Sequence, residues 1–219
     1  MKIVAEIAKR LNALSDSRSA YEVFNDWITV MAIAISNACH LIHDEVWEER
    51  EKQYMNIIQR YPDHGVEFAK LFAMLTMEMT NNPHDVLGEI YMEAGLGNKN
   101  LGQVFTPPSL SRLCAAMSVG EYDGTEPITI NEPTCGGGAM IIEVCIALYQ
   151  KGINYQKKVK VVAQDLDWKA VYMCYVQLSL MGVNAVVVQG NTLTDPYIWG
   201  RTAPSHIFHT PMYMMRGCL

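Results

Sequence analysis

Three adjacent glycines, Gly136, Gly137 and Gly138, stand in the stretch NEPTCGGGAM, between the β-branched run ITI and a long apolar run of helical spacing. Glycine carries no Cβ and tolerates either sign of φ, so such a cluster marks a turn of unusual angles or a place where a ligand approaches the backbone. Two polar positions fit the second reading. Asp165 closes the apolar run VKVVAQD, and Asn191 follows AVVVQG. In an open parallel sheet, ligands lie beyond the carboxyl ends of the strands. A carboxylate there can accept from both hydroxyls of a ribose, and an amide can read an adenine edge. Each position also has a plain structural alternative: a tight turn for the glycines, a helix cap for Asp165 with Asp167 as competitor, and a polar turn for Asn191. No lysine follows the glycines as in a P-loop, which disfavours a nucleoside triphosphate.

The elements that would position these residues can be read from periodicity. Residues 1–97 are expected to form a helical N-terminal domain, and 98–219 a second domain of alternating strands and helices. Ser19 and Glu22 have the form of a capping box, opening a long helix that breaks near His43. The run HGVEFAKLFAMLTMEM predicts another helix. Asn82 followed by Pro83 predicts the cap and first position of the next. GQVFTPPSL reads as a loop. ITIN, VKVVAQD, AVVVQG and HIFH read as strands, the first three followed or separated by helices, so the expected sheet is parallel with right-handed crossovers.

Composition narrows the class. Half of the 219 residues are apolar and the formal net charge is -6, as in a globular protein rather than a whole-surface nucleic-acid binder. The six cysteines form no C-x-x-C pair and read as reduced thiols, which points to a cytoplasmic protein. The apolar run WITVMAIAISNACHLI is too interrupted for a membrane span, and the N-terminus has no signal-peptide pattern. His40, His43 and Asp44 have helical spacing but no further ligand cluster, so they read as structural. Trp27 and Trp47 read as packing residues.

GQVFTP, NEPTCGGGAM, AQDLDWKAVYMCYVQLSLMGV and GNTLTDP, in this order, resemble the adenine-specific DNA methyltransferase subunits of type I restriction-modification systems. The resemblance implies an incomplete S-adenosylmethionine (SAM)-dependent methyltransferase Rossmann-like α/β sheet behind an all-helical N-terminal domain. It also implies SAM as cofactor, DNA as substrate, and a partner subunit or a homo-oligomer. Carried over, Phe105, Thr106 and Pro107 would line the methionine end of SAM. Glu132 and Pro133 stand where the family has Asp-Pro, with Glu132 towards the amino group of SAM. Cys135 and Gly136 match the family's Cys-Gly. The backbone from Gly136 to Gly138 would meet the cofactor, a side chain there colliding with it. Asp165 would hold the ribose, with Leu166 beside it. Asn191 stands where the family has an aspartate that accepts from the adenine amine, and its carbonyl oxygen can still accept.

The pattern breaks at the target base. Enzymes that modify a base flip it out of the duplex, and the family receives the flipped adenine on Asn-Pro-Pro-Tyr/Phe. Here HTPMY stands in that place. Pro211 would offer its carbonyl and Tyr213 would stack on the base, but Thr210 replaces the asparagine. A hydroxyl does not reproduce a carboxamide, and losing a well-aligned acceptor costs about a hundredfold or more in rate. Two readings follow: a methyltransferase-like protein of weakened activity, or a SAM-binding module that acts with a partner, or from a mobile element against a host defence system. The family's sheet continues beyond this point, so the last strand is expected near an edge covered by the tail MYMMRGCL or by a partner.

Overall fold

The computed structural model describes residues 2–15, 18–96 and 106–216. Its first part is helical, beginning with α1 (Lys2–Ala13) and α2 (Ala20–Cys39). The expected capping box opens α2: the Ser19 hydroxyl accepts from the Glu22 amide, and the Glu22 carboxylate accepts from the Ser19 amide. α2 is apolar almost all round and buried along most of its length, as a helix of that composition must be. The break near His43 is also present. Asp44 accepts from the Trp47 amide at 3.0 Å and starts α3 (Glu45–Ile58). His40 Nε2 lies 3.2 Å from Asp44 Oδ2, while His43 stacks on Trp47 with ring centroids 3.9 Å apart.

α4 (Gly65–Asn81) and α5 (Val86–Glu93) correct one expectation. Asn82 does not cap α5; its amide closes α4 by donating to the Glu78 carbonyl at 2.8 Å. Pro83 holds Asn82 out of the helical region, and the next helix waits for the first carboxylate that can cap it. That carboxylate is Asp85, which accepts from the Gly88 amide at 3.0 Å.

The remaining elements are α6 (Pro108–Val119), β1 (Ile128–Glu132), α7 (Ala139–Gln150), the short α8 (Tyr155–Lys158), β2 (Val159–Asp165), α9 (Trp168–Leu180), β3 (Ala185–Gln189), β4 (Ile207–His209) and α10 (Pro211–Arg216). Pro108, read as loop, is instead the first residue of α6, where a missing amide costs nothing. The sheet has the order β1-β2-β3-β4. β1, β2 and β3 are parallel, with Glu132 beside Ala163 and Asp165 beside Gln189, so their carboxyl ends share one rim.

β4 corrects the expectation of a wholly parallel sheet. It runs antiparallel to β3, with Val188 opposite Ile207 and Val186 opposite His209. A parallel return needs a crossover, usually a helix, and the connection from 190 to 206 holds only a single 3-10 turn, Pro204–His206. The chain therefore comes back down the edge. Arg50 Nη2 donates to the Ile207 carbonyl at 2.7 Å and the Tyr175 hydroxyl to the His209 carbonyl at 3.2 Å. Side chains from α3 and α9 thus bond two backbone carbonyls of this strand.

α9 joins the two parts of the chain. It meets β2 and β3 on one side and α2, α4 and α5 on the other. Val171, Met173, Cys174, Tyr175, Val176 and Leu178 are all fully buried. One hydrophobic cluster runs from Val4 in α1 to Phe208 in β4. Among the described residues no helix is long and apolar enough to cross a membrane.

Candidate cofactor site

The glycine segment lies at the shared rim and is tied to both neighbouring strand ends. The Cys135 amide donates to the Gln164 carbonyl at 2.9 Å, and Gly138 closes a turn onto the Cys135 carbonyl at 2.8 Å. The Thr192 hydroxyl donates to the Pro133 carbonyl at 2.8 Å. Gly138 has φ +94° and directly precedes α7. A side chain is strained at that angle, which accounts for the glycine there.

The three glycines have three different surroundings. A Cβ on Gly136, whose φ is +52°, would meet nothing within 4 Å. On Gly137 it would come within 2.9 Å of Asp85 Oδ1, and on Gly138 within 3.2 Å of Cys174 Sγ. Gly137 and Gly138 thus make room for the protein's own atoms. Gly136 alone faces open space.

Asp165 turns towards that open glycine. Its Oδ2 accepts from the Gly136 amide at 2.9 Å and its Oδ1 from the Asp167 amide at 3.0 Å. Asp167, not Asp165, caps α9 by accepting from the Lys169 amide at 2.9 Å. Each Asp165 oxygen keeps a further lone pair for a ligand. Leu166 is 64% exposed next to it, its carbonyl held by Gln189 Nε2 at 2.7 Å. Glu132 ends β1 half-buried at the same rim. Asn191 is exposed, and its side-chain oxygen accepts from the Leu193 amide at 3.0 Å, so it shapes its own turn. Cys135 is buried; a hydrogen bond with Cys174, and then burial, push its thiol well above the ordinary range.

On the helical side of the loop lies a cavity of about 460 Å³, lined in part by Asp85, Glu89, Thr106, Pro107, Arg112 and Glu143. Thr106 and Pro107 thus border the neighbourhood of the glycine loop; Phe105 lies outside the described residues. Acids outnumber bases on these walls, which suits a ligand with a cationic end. Sequence reasoning missed two residues here, Asp85 and Gln177. Both carried a signal: an aspartate just ahead of an apolar helix, and a lone amide inside the apolar run YVQLSL.

The expected base-binding residues are at the other end of the sheet. Because β4 runs antiparallel, Thr210 sits beside the start of β3. It is fully buried, and its hydroxyl donates to the Val183 carbonyl at 2.7 Å while accepting from the Ala185 amide at 3.0 Å. Pro211 is the first residue of α10. The Tyr213 ring stacks on His209, with centroids 4.3 Å apart. Burial, aided by the fields of Arg50 and His40, lowers the His209 imidazole to about 4. Thr210, Pro211 and Tyr213 are therefore not brought together with Asp165 and Gly136. Thr210→Val removes the hydroxyl at nearly constant shape and orphans the buried Ala185 amide. It is expected to cost about 1–3 kcal/mol in urea denaturation; an unchanged denaturation midpoint contradicts this placement.

The chain is 25% identical over 125 residues to the type I restriction enzyme MpnII methylase subunit of Mycoplasma pneumoniae, a match that covers 53% of this chain and 22% of that one. The chain thus spans about a fifth of the length of that relative. The solved type I restriction-modification system methyltransferase subunit of Streptococcus thermophilus aligns with 92% of this chain and 41% of its own, at 15% identity and a TM-score of 0.43. The profile of the N-6 DNA methylase family matches residues 82–214, from just ahead of the Asp85-capped helix into α10. That match takes in more than half of the chain, and this protein belongs to the N-6 DNA methylase family.

Proposed function

We propose that this chain binds SAM at the rim formed by β1, β2 and β3, and that it serves methyl transfer to DNA adenine only when the target base is held by groups outside Thr210, Pro211 and Tyr213. The observation that carries the first half is the Asp165 carboxylate turned onto the amide of Gly136, the one glycine of the loop with open space at its Cβ position. Asp165 would accept from the ribose diol and Leu166 would lie against the adenine. Glu132 and the acidic cavity walls would face the cationic amino-acid end. SAM would supply an electrophilic methyl on a sulfonium; the protein's part is alignment.

The second half rests on Thr210. With its hydroxyl committed to Val183 and Ala185, it has no acceptor aimed at the cofactor rim. The relative from Mycoplasma pneumoniae is called a methylase subunit, and a subunit works alongside others. A partner chain is the natural source of the missing base acceptors. The test is transfer from methyl-labelled SAM to adenine-containing DNA, by this chain alone and with candidate partner subunits. Label is expected on DNA only in the mixture. Transfer by the chain alone, abolished in Thr210→Val, overturns the reading.

A further inference from the structure

Gln177 makes a three-way joint among the N-terminal helices, α9 and the glycine loop. Its Nε2 donates to Asp85 Oδ1 at 2.8 Å and to the Gly137 carbonyl at 2.7 Å. Its Oε1 accepts from the Leu87 amide at 3.0 Å. Both donors and one acceptor position of a fully buried amide are thus committed. Asp85 stands between α5 and the loop: Oδ1 also accepts from the Gly88 amide, and this oxygen fills the space a Cβ on Gly137 would need. Although the residue keeps some surface at the cavity wall, its carboxyl is enclosed, and burial pushes it above the usual carboxylate range against the opposing hydrogen bonds from Gln177 and Gly88.

A helix cap alone needs none of this. Serine or asparagine caps as well as aspartate, and exposed caps are the rule in this chain at Ser19 and Asp44. What sets Asp85 apart is that its carboxyl is buried, shared with an amide from a different layer, and in contact with the segment that is to receive a ligand. Enclosing a carboxylate is costly unless its hydrogen bonds compensate, so the joint is expected to be intolerant of play. From these contacts we infer that Asp85 and Gln177 are positioning residues that lock the glycine loop, from the side of the N-terminal helices, in the conformation that presents Gly136. The helices then act on the cofactor site without touching the cofactor. The locking itself stands on the contacts just described; only its consequence for SAM rests on the proposed function.

Asp85→Ser separates the two roles. Serine keeps the cap on α5 but is too short to reach Gln177 and Gly137. In hydrogen exchange followed by mass spectrometry, amides of the loop 135–139 are expected to exchange about tenfold faster or more, with α5 still protected. SAM affinity by calorimetry is expected to fall about tenfold. A folded variant whose loop exchanges like the parent overturns the inference. If the parent shows no SAM binding while the variant's loop exchange still accelerates, the lock stands and the cofactor reading fails.

A second pair keeps the test decisive if Asp85→Ser folds poorly. Gly137 has no left-handed φ, so Gly137→Ala is opposed mainly by the 2.9 Å approach to Asp85. Gly137→Ala is expected to speed loop exchange in the parent and to do so much less in the presence of Asp85→Ala, which removes the opposing carboxyl, a non-additivity that a purely local turn defect does not produce. Equal acceleration in every background overturns the inference.

Discussion

Asp165→Ala is expected to lower the affinity for SAM by about a hundredfold or more, measured by calorimetry on the folded chain. Two hydrogen bonds from a ribose diol to a carboxylate are charge-assisted, and such bonds contribute about 1.5–3 kcal/mol each; a tenfold change in affinity corresponds to about 1.4 kcal/mol. The substitution also frees the Gly136 and Asp167 amides that the carboxylate now holds. The site thus loses a ligand group and the group that orients its loop. Asp165→Asn serves as the comparison. It keeps one acceptor oxygen and most of the shape, so it is expected to lie between the parent and the alanine variant. Equal SAM affinity in the parent and in Asp165→Ala moves the site elsewhere.

Trp27→Ala carries the largest expected loss of stability, about 3–5 kcal/mol for truncating a buried tryptophan. Trp27 is fully buried in α2, and its indole Nε1 donates to the Phe68 carbonyl at 3.2 Å. The Phe24 ring meets it edge-on at 6.3 Å. The loss is not confined to the helices, because α2 packs against α9 and the same hydrophobic cluster continues into the sheet. Urea denaturation followed by near-ultraviolet circular dichroism and by the exchange of β2 amides is expected to show coincident transitions, both shifted in the variant. Loss of the helices with β2 still protected would show that the two parts unfold separately.

What the sequence revealed follows from the range of the interactions involved. The Ser19–Glu22 capping box, the break near His43 and the three strands Ile128–Glu132, Val159–Asp165 and Ala185–Gln189 are specified by neighbouring residues, and all are present. The placement of Gly136 and Asp165 on one rim follows from parallel pairing, which alternating strands and helices imply. The direction of β4 was not legible. HIFH is equally apolar in either orientation, and only the lack of a crossover helix in the preceding connection decides it. That reversal is what carries Thr210 away from the rim. The reason for each glycine was also hidden: Gly137 answers to Asp85 and Gly138 to Cys174, both distant in the chain. Asn82 drew attention from Asp85 because the proline after it resembles a helix start, whereas the proline ends the previous helix.

The central claim is a ligand site at Gly136 that is remote from Thr210, and glycine-selective nitrogen-15 labelling reports on both ends at once. Gly136 lies at the rim, while Gly182 lies near Met212 at the opposite end of the sheet. On titration with SAM the account predicts a saturable shift of the Gly136 amide resonance and an unmoved Gly182. An unmoved Gly136 at millimolar SAM, or a larger response at Gly182, contradicts it.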